Sequence, residues 1–259
     1  MNWIKRYKSQ LIALGWFSLG VLFVFTIGAS GSSQANRVCS DIAVTINQSE
    51  GNYFVTEEGV KEMLKAKFPD RNLHVPVNAI NTQSLEAYLV NTPYIKNAEI
   101  YIDINGKMWV EVQQQNPIVR IIDRDNANYY LTSDGLKMPT SKLFSARVPV
   151  VTGYLRDNGK NKGKIEGEHL QGIFELVKYI NSSKFWQALI EQIYVAQNGD
   201  LYLQPKLGNF EILLGTTNNM ETKLANFEAF LLQVIDKIDL NQYKLISLKF
   251  NNQVVCTKK

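Results

Sequence analysis

From Leu11 to Ala29 the chain runs almost unbroken through apolar residues, with no charged side chain among them. As a helix that run comes to roughly 28 Å, close to the ~30 Å hydrocarbon core of a bilayer. Trp16, Phe17, Leu19, Val21, Leu22, Phe23, Val24 and Phe25 would surround such a helix on all sides, leaving no polar face for a soluble core helix. Lys5, Arg6 and Lys8 precede the run, no acid occurs before Asp41, and the first charge beyond it is Arg37. That asymmetry puts residues 1–10 in the cytoplasm and the bulk of the chain outside, as a single-pass type II protein of the cytoplasmic (inner) membrane with residues 11–29 in the lipid bilayer. Trp3 and Tyr7 are placed to anchor at the inner interface. A cleaved signal peptide is the competing reading, favoured by the small residues from Ala29 to Ala35; its apolar core usually spans only about 7–15 residues, shorter than this run.

The exported part carries little charge of its own. The formal net charge is +4, but Lys5, Arg6, Lys8, Lys258 and Lys259 lie at the two ends and leave 23 basic against 24 acidic residues. No electrostatic footprint for nucleic acid exists there. The two cysteines, Cys39 and Cys256, lie at opposite ends of the exported region, and bridging needs Cα atoms within about 7 Å, so two unpaired thiols are expected. Two glycosylation sequons, at Asn47 and Asn181, are what chance yields in an Asn-rich chain.

Residues 30–38 are small and polar, a linker. Ile42, Val44 and Ile46 then alternate with polar residues as a first strand. Thr56 is placed to cap a helix bearing Val60, Met63, Leu64 and Phe68 on one stripe, ended by Pro69. A second helix is expected from Thr82 to Val90, stopped by Asn91-Thr92-Pro93. Ala98, Ile100, Ile102 and Ile104 alternate before Asn105-Gly106, and Met108, Val110 and Val112 alternate after it. This is a β-hairpin, with the residue pair preferred in a type I′ turn. The order is β-α-α-β-β, a complete small layered unit over residues 39–116.

Residues 117–259 form a second, mixed domain. Short strands are expected at Ile118–Ile122, Tyr129–Leu131 and Val148–Gly153, with a turn at Ser133-Asp134-Gly135 and a Gly/Lys/Asn loop over residues 157–167. Ile173, Leu176, Val177 and Ile180 mark one helix, and Met220, Leu224, Phe227 and Leu231 another. Strands follow near residues 190–196, 201–204 and 210–214, and residues 244–256 read as one extended segment. The fold class is mixed α/β (α+β).

Residues able to do chemistry are scarce. His74 and His169 have no second ligand at metal spacing. Gly153 to Lys160 resembles a phosphate-binding loop but has five residues between its glycines, and Asn161 stands where a hydroxyl must hold Mg²⁺. Glu99, Asp103, Asp123 and Asp125 fall on strands and turns, in exposed positions that argue against acid–base work. No enzyme, cofactor or metal site is expected.

Several phrases carry a resemblance. Thr92-Pro93-Tyr94-Ile95-Lys96-Asn97-Ala98-Glu99-Ile100 enters the hairpin, and Val110-Glu111-Val112 leads to Asn116-Pro117. Tyr130-Leu131-Thr132-Ser133-Asp134-Gly135 and Val148-Pro149-Val150-Val151-Thr152-Gly153 follow, then Leu213-Leu214-Gly215, Lys223-Leu224 and Ser247-Leu248-Lys249-Phe250. In this order the chain resembles the bacterial cell-division family FtsQ, called DivIB in some bacteria. It departs at Gln115-Asn116, where a Glu-Arg pair is common, and at Lys249-Phe250, where Arg-Tyr is common. The resemblance implies that the β-α-α-β-β unit is a POTRA domain. It further implies a non-enzymatic divisome scaffold at the division septum that helps control septal peptidoglycan synthesis. Its implied partners are proteins of the FtsB and FtsL type, with FtsB adding a strand to the final strand.

An unpaired final strand offers a row of backbone donors and acceptors to such a partner. Lys249, Phe250, Asn251, Asn252 and Val254 are the contact candidates on that edge. Phe250 and Val254 also suit the core, and Asn251-Asn252 also suits a bulge or turn. Competing readings are a POTRA chaperone of secretion or outer-membrane assembly, an anchored hydrolase, and an anchored ligand-binding or sensor module. The first lacks the run of strands a barrel needs, and the second lacks a catalytic cluster.

Overall fold

A computed structural model describes Trp16, Ser18, Leu19 and residues 37–259, apart from 48–50, 70–72, 125–126, 156–162, 207, 235–236 and 251–252. The expected membrane helix over residues 11–29 thus lies almost wholly outside the described residues, as do the 1–10 tail and most of the linker. Trp16, Ser18 and Leu19 are helical and exposed. Among the described residues no helix is long and apolar enough to cross a membrane. The chain forms two compact units, Met1–Asn47 with Val55–Gln113, and Gln48–Phe54 with Gln114–Lys259.

The first unit contains β1 (Val38–Cys39), β2 (Asp41–Asn47), α1 (Glu57–Lys65), β3 (Val75–Pro76), α2 (Thr82–Val90), β4 (Ile95–Ile102) and β5 (Lys107–Gln114). Its sheet has the order β2-β5-β4, with β2 parallel to β5. Period-two alternation puts Ile42, Val44, Ala98, Ile100, Met108, Val110 and Val112 on the buried face, where Val60, Leu64, Leu85 and Leu89 of the helices meet them. Thr56 Oγ1 accepts from Gly59 N at 3.1 Å, the expected cap, and Asn81 Oδ1 does the same for Ser84 N at 3.0 Å. Helix α1 ends at Lys65 and is capped by Ala66, so Phe68 falls beyond the helix. The β1–β3 ribbon pairs Val38 with Pro76 and Cys39 with Val75; two residues per strand carry no readable period.

The hairpin turn corrects the type I′ expectation. Gly106 N donates to Asp103 O at 3.1 Å and Asp103 N to Lys107 O at 3.0 Å. Gly106 alone of this loop has a positive φ, +80°. This is a type I turn closed by a left-handed glycine. Its cause is Asp103, whose Oδ1 accepts from Asn105 N (2.8 Å) and Lys107 N (3.0 Å) while Oδ2 accepts from Trp109 Nε1 (3.2 Å). These donors, Lys107 N–H foremost, hold the Asp103 carboxyl below the ordinary aspartate range. A carboxyl lowered in the folded state stabilises above its unfolded value and loses that contribution as pH falls through the folded one. Melting temperature should therefore drop in acid, and Asp103→Asn should flatten that limb. An unchanged acid limb in the variant would show that the charge does not hold the turn.

The second unit contains β6 (Pro117–Asp123), β7 (Asn128–Thr132), β8 (Lys137–Pro139), β9 (Val150–Gly153), α3 (Glu168–Ser182), α4 (Lys184–Leu189), β10 (Ile190–Val195), β11 (Leu201–Pro205), β12 (Glu211–Gly215), α5 (Met220–Val234), β13 (Tyr243–Ser247) and β14 (Val255–Lys258). They build a nine-stranded sheet in the order β14-β13-β12-β11-β10-β9-β6-β7-β8. The β6–β9, β9–β10 and β12–β13 pairs are parallel. Leu170, Ile173, Leu176, Val177 and Ile180 of α3, with Leu224, Phe227 and Leu231 of α5, form one core with the strand residues of matching parity. The short α4, unforeseen in the sequence, supplies Trp186, which packs edge-on to Phe185 at 5.1 Å and beside Phe227 at 6.1 Å.

Residues 51–54, read as part of the first domain, belong to this unit. Phe54 N donates to Gln114 Oε1 at 2.8 Å and Gln114 Nε2 to Asn52 O at 2.8 Å. The Phe54 ring meets Phe144 and Tyr130 edge-on at 5.0 and 5.9 Å. Asp123 is buried rather than exposed. It closes the β6–β7 turn, with its own N–H on Ala127 O and its carboxylate accepting from Arg124 N. Asp125 and most of the 157–167 loop lie outside the described residues. Both thiols are free, and burial pushes each above the ordinary cysteine value, away from thiolate reactivity.

Candidate functional site

The extended segment expected over residues 244–256 is a hairpin in the structure. β13 runs to Ser247, the chain turns, and β14 returns antiparallel, pairing Ser247 with Val255, Ile246 with Cys256 and Leu245 with Thr257. The turn has physical causes. Leu248 is buried, and its N–H donates to Leu213 O at 2.8 Å. Lys249 Nζ reaches Asp200 Oδ2 at 2.9 Å, which draws the side chain across the sheet end. Gln253 N donates back to Phe250 O at 3.4 Å.

Three of the five contact candidates accordingly leave the strand. Lys249, Phe250 and Val254 lie in the connection, not on the edge strand, and Asn251 and Asn252 lie outside the described residues. Lys249 is already engaged by Asp200. Phe250 is 57% exposed and so is not core, whereas Val254 packs against the core. Lys223 Nζ sits nearby on the Leu214 and Thr216 carbonyls at 3.1 and 2.9 Å. Burial and the neighbouring Lys249 ammonium push Lys223 below the ordinary lysine range, and Asp200 opposes them.

The edge strand itself is Val255, Cys256, Thr257 and Lys258. Val255, Thr257 and Lys258 are exposed, and Cys256 is half-buried against the core. Only β13 flanks β14 among the described residues, so one side of its backbone offers unpaired donors and acceptors. The opposite edge of the same sheet differs. There Lys137 N donates to Gly163 O at 2.9 Å, Ile165 N donates to Gly135 O at 3.0 Å, and Leu136 bridges Lys164. One edge is covered and the other is open. A row of side chains also leads to the open edge, through Tyr194, Tyr202, Leu213 and Ser247, each opposite the next across its strand pair, to Val255.

A cavity of about 670 Å³ with mixed lining lies where β6, β9 and β10 begin, bordered by Arg147, Glu191 and Lys206 beside Ile118, Val148 and Ile190. Its polar groups are largely spent internally: Asn181 Nδ2 donates to Ile118 O at 3.1 Å and Lys206 Nζ to Gln187 O at 2.7 Å.

A β-α-α-β-β module is thus followed by a mixed sheet with one edge unpaired among the described residues. Residues 37–113 match the POTRA-like domain, and residues 116–257 match the family described as FtsQ/DivIB, C-terminal related. The chain belongs to the FtsQ/DivIB family and carries a POTRA domain. No individual curated protein matches it. Both families are non-catalytic scaffolds, and the family is one of divisome-associated, membrane-anchored proteins.

Proposed function

We propose that this protein is a non-enzymatic, bitopic scaffold of the bacterial divisome, anchored by residues 11–29 with its POTRA and C-terminal domains outside the cytoplasm. It acts at the septum, where it helps control peptidoglycan synthesis. Its partners are small membrane proteins of the FtsB and FtsL type, and the FtsB-type partner adds a strand to β14. The observation that carries this reading is the contrast between the two ends of the nine-stranded sheet, one covered over residues 135–137 by residues 163–165 and the other with no strand beyond β14 among the described residues. Main-chain pairing supplies affinity there, and the exposed side chains of Val255 and Thr257 supply selectivity. Phe250, with Lys249 and Val254, borders the added strand from the connection, and Asn251 and Asn252 are kept as contact candidates.

Conditional depletion in the native host tests the role. Long, aseptate cells with segregated nucleoids are the expected result. Normal septation during confirmed depletion would remove the divisome assignment.

A further inference from the structure

One end of the POTRA unit collects exposed apolar side chains. Ile104 at the β4–β5 loop tip is 75% exposed, Tyr101 is 51% and Val38 is 40%. Tyr101 and Trp109 stack on the open sheet face, with ring centres 6.4 Å apart and planes within 13°. Lys107 Nζ lies 4.9 Å above the Trp109 ring and 3.3 Å from Asp41 Oδ2. Asp103 fixes the indole N–H of Trp109 at 3.2 Å, so the ring is held in place.

The same end receives the chain from its N-terminal side. Ser40 N donates to Gly106 O at 3.1 Å. A Cβ on Gly106 would stand 2.4 Å from Val38 O, so the loop tip and the incoming strand touch. Only residues 30–37 separate Val38 from the apolar run, and eight residues cannot span more than roughly 29 Å. A chain anchored through that run keeps the Ile104 tip within reach of the headgroups. The local charges, Lys107 and Arg37 against Asp41 and Asp103, balance. A protruding aliphatic tip beside paired aromatic rings of amphipathic character suits the bilayer interface.

Resting on the anchor reading above, we propose that this end of the POTRA unit docks on the lipid surface, with Ile104 inserted at the headgroup–acyl boundary and Tyr101 and Trp109 at headgroup level. Docking would fix the unit's orientation on the membrane.

The full chain, reconstituted in vesicles of phosphatidylethanolamine and phosphatidylglycerol, provides the test. An NBD label is placed on Ile104→Cys or on Gln113→Cys, each in a Cys256→Ser background. Gln113 lies on the same sheet face, roughly 20 Å along β5 from the loop. Unchanged melting of each labelled protein checks the fold. At 104 the emission should shift to the blue, and headgroup-proximal doxyl lipid should quench it at least about twofold more than at 113, as an interfacial site requires. A chain that floats with the vesicles but shows the same water-like emission at both positions overturns the docking and spares the anchor. A chain that does not float overturns the anchor reading and the docking with it.

Discussion

Proline at one of two adjacent positions in β14, Cys256 or Thr257, should weaken partner-strand capture roughly 30-fold while leaving the domain folded. In an antiparallel ladder successive N–H groups point to opposite sides of the strand. One of the two faces β13, which pairs Ile246 with Cys256 and Leu245 with Thr257, and the other faces outward. Proline removes the N–H and places a ring in its stead. At the inward position the hairpin loses a ladder bond and melting falls. At the outward position melting holds, but an added strand loses a bond and meets the ring. With each backbone bond contributing about 0.5–1.5 kcal/mol plus the steric cost, a loss of about 2 kcal/mol is reasonable. That is roughly a 30-fold weaker complex. Fluorescence anisotropy with the labelled extracytoplasmic segment of the FtsB-type partner reads it. If both proline variants bind as tightly as the parent, β14 is not the docking strand.

Phe227→Ala should cost about 3–5 kcal/mol, the range for deleting a fully buried aromatic ring. Phe227 has no exposed surface, lies 6.1 Å from Trp186 and 6.3 Å from Phe230, and joins α5 to the sheet. For a unit of this size the melting temperature should fall by roughly 10 °C. Leu232→Ala on the same helix, where the side chain is 70% exposed, should change little. Phe227→Leu should lie between them, because it keeps part of the volume. A fall for Phe227→Ala no larger than that for Leu232→Ala would mean that α5 does not anchor the sheet.

The POTRA unit was legible because its signals are local. Period-two alternation across Asn105-Gly106 and the stripe of Val60 and Leu64 lie within single elements. Where local rules failed, a side-chain contact to a neighbouring element decided. Asp103 drew the hairpin into a type I turn by binding the Lys107 N–H and the Trp109 indole. The C-terminal sheet was legible strand by strand but not in its order, since β6, β9 and β10 become neighbours only through long connections. The turn between β13 and β14 was hidden for a similar reason. Lys249 closes it by pairing with Asp200, 49 positions away, and Leu248 closes it by burial. The sequence therefore read on through Phe250 and Val254 as strand, and the edge residues Val255, Thr257 and Lys258 went unassigned. Asn251-Asn252 was the one local signal that pointed to them.

Photo-crosslinking in living cells tests the open edge most directly. A crosslinking amino acid at Thr257 on β14 should capture an FtsB-type membrane partner, and the same residue at Lys137, where Gly163 covers the β8 edge, should not. Equal capture from both edges would contradict strand addition at β14, as would no capture from Thr257 in a protein that still reaches the septum.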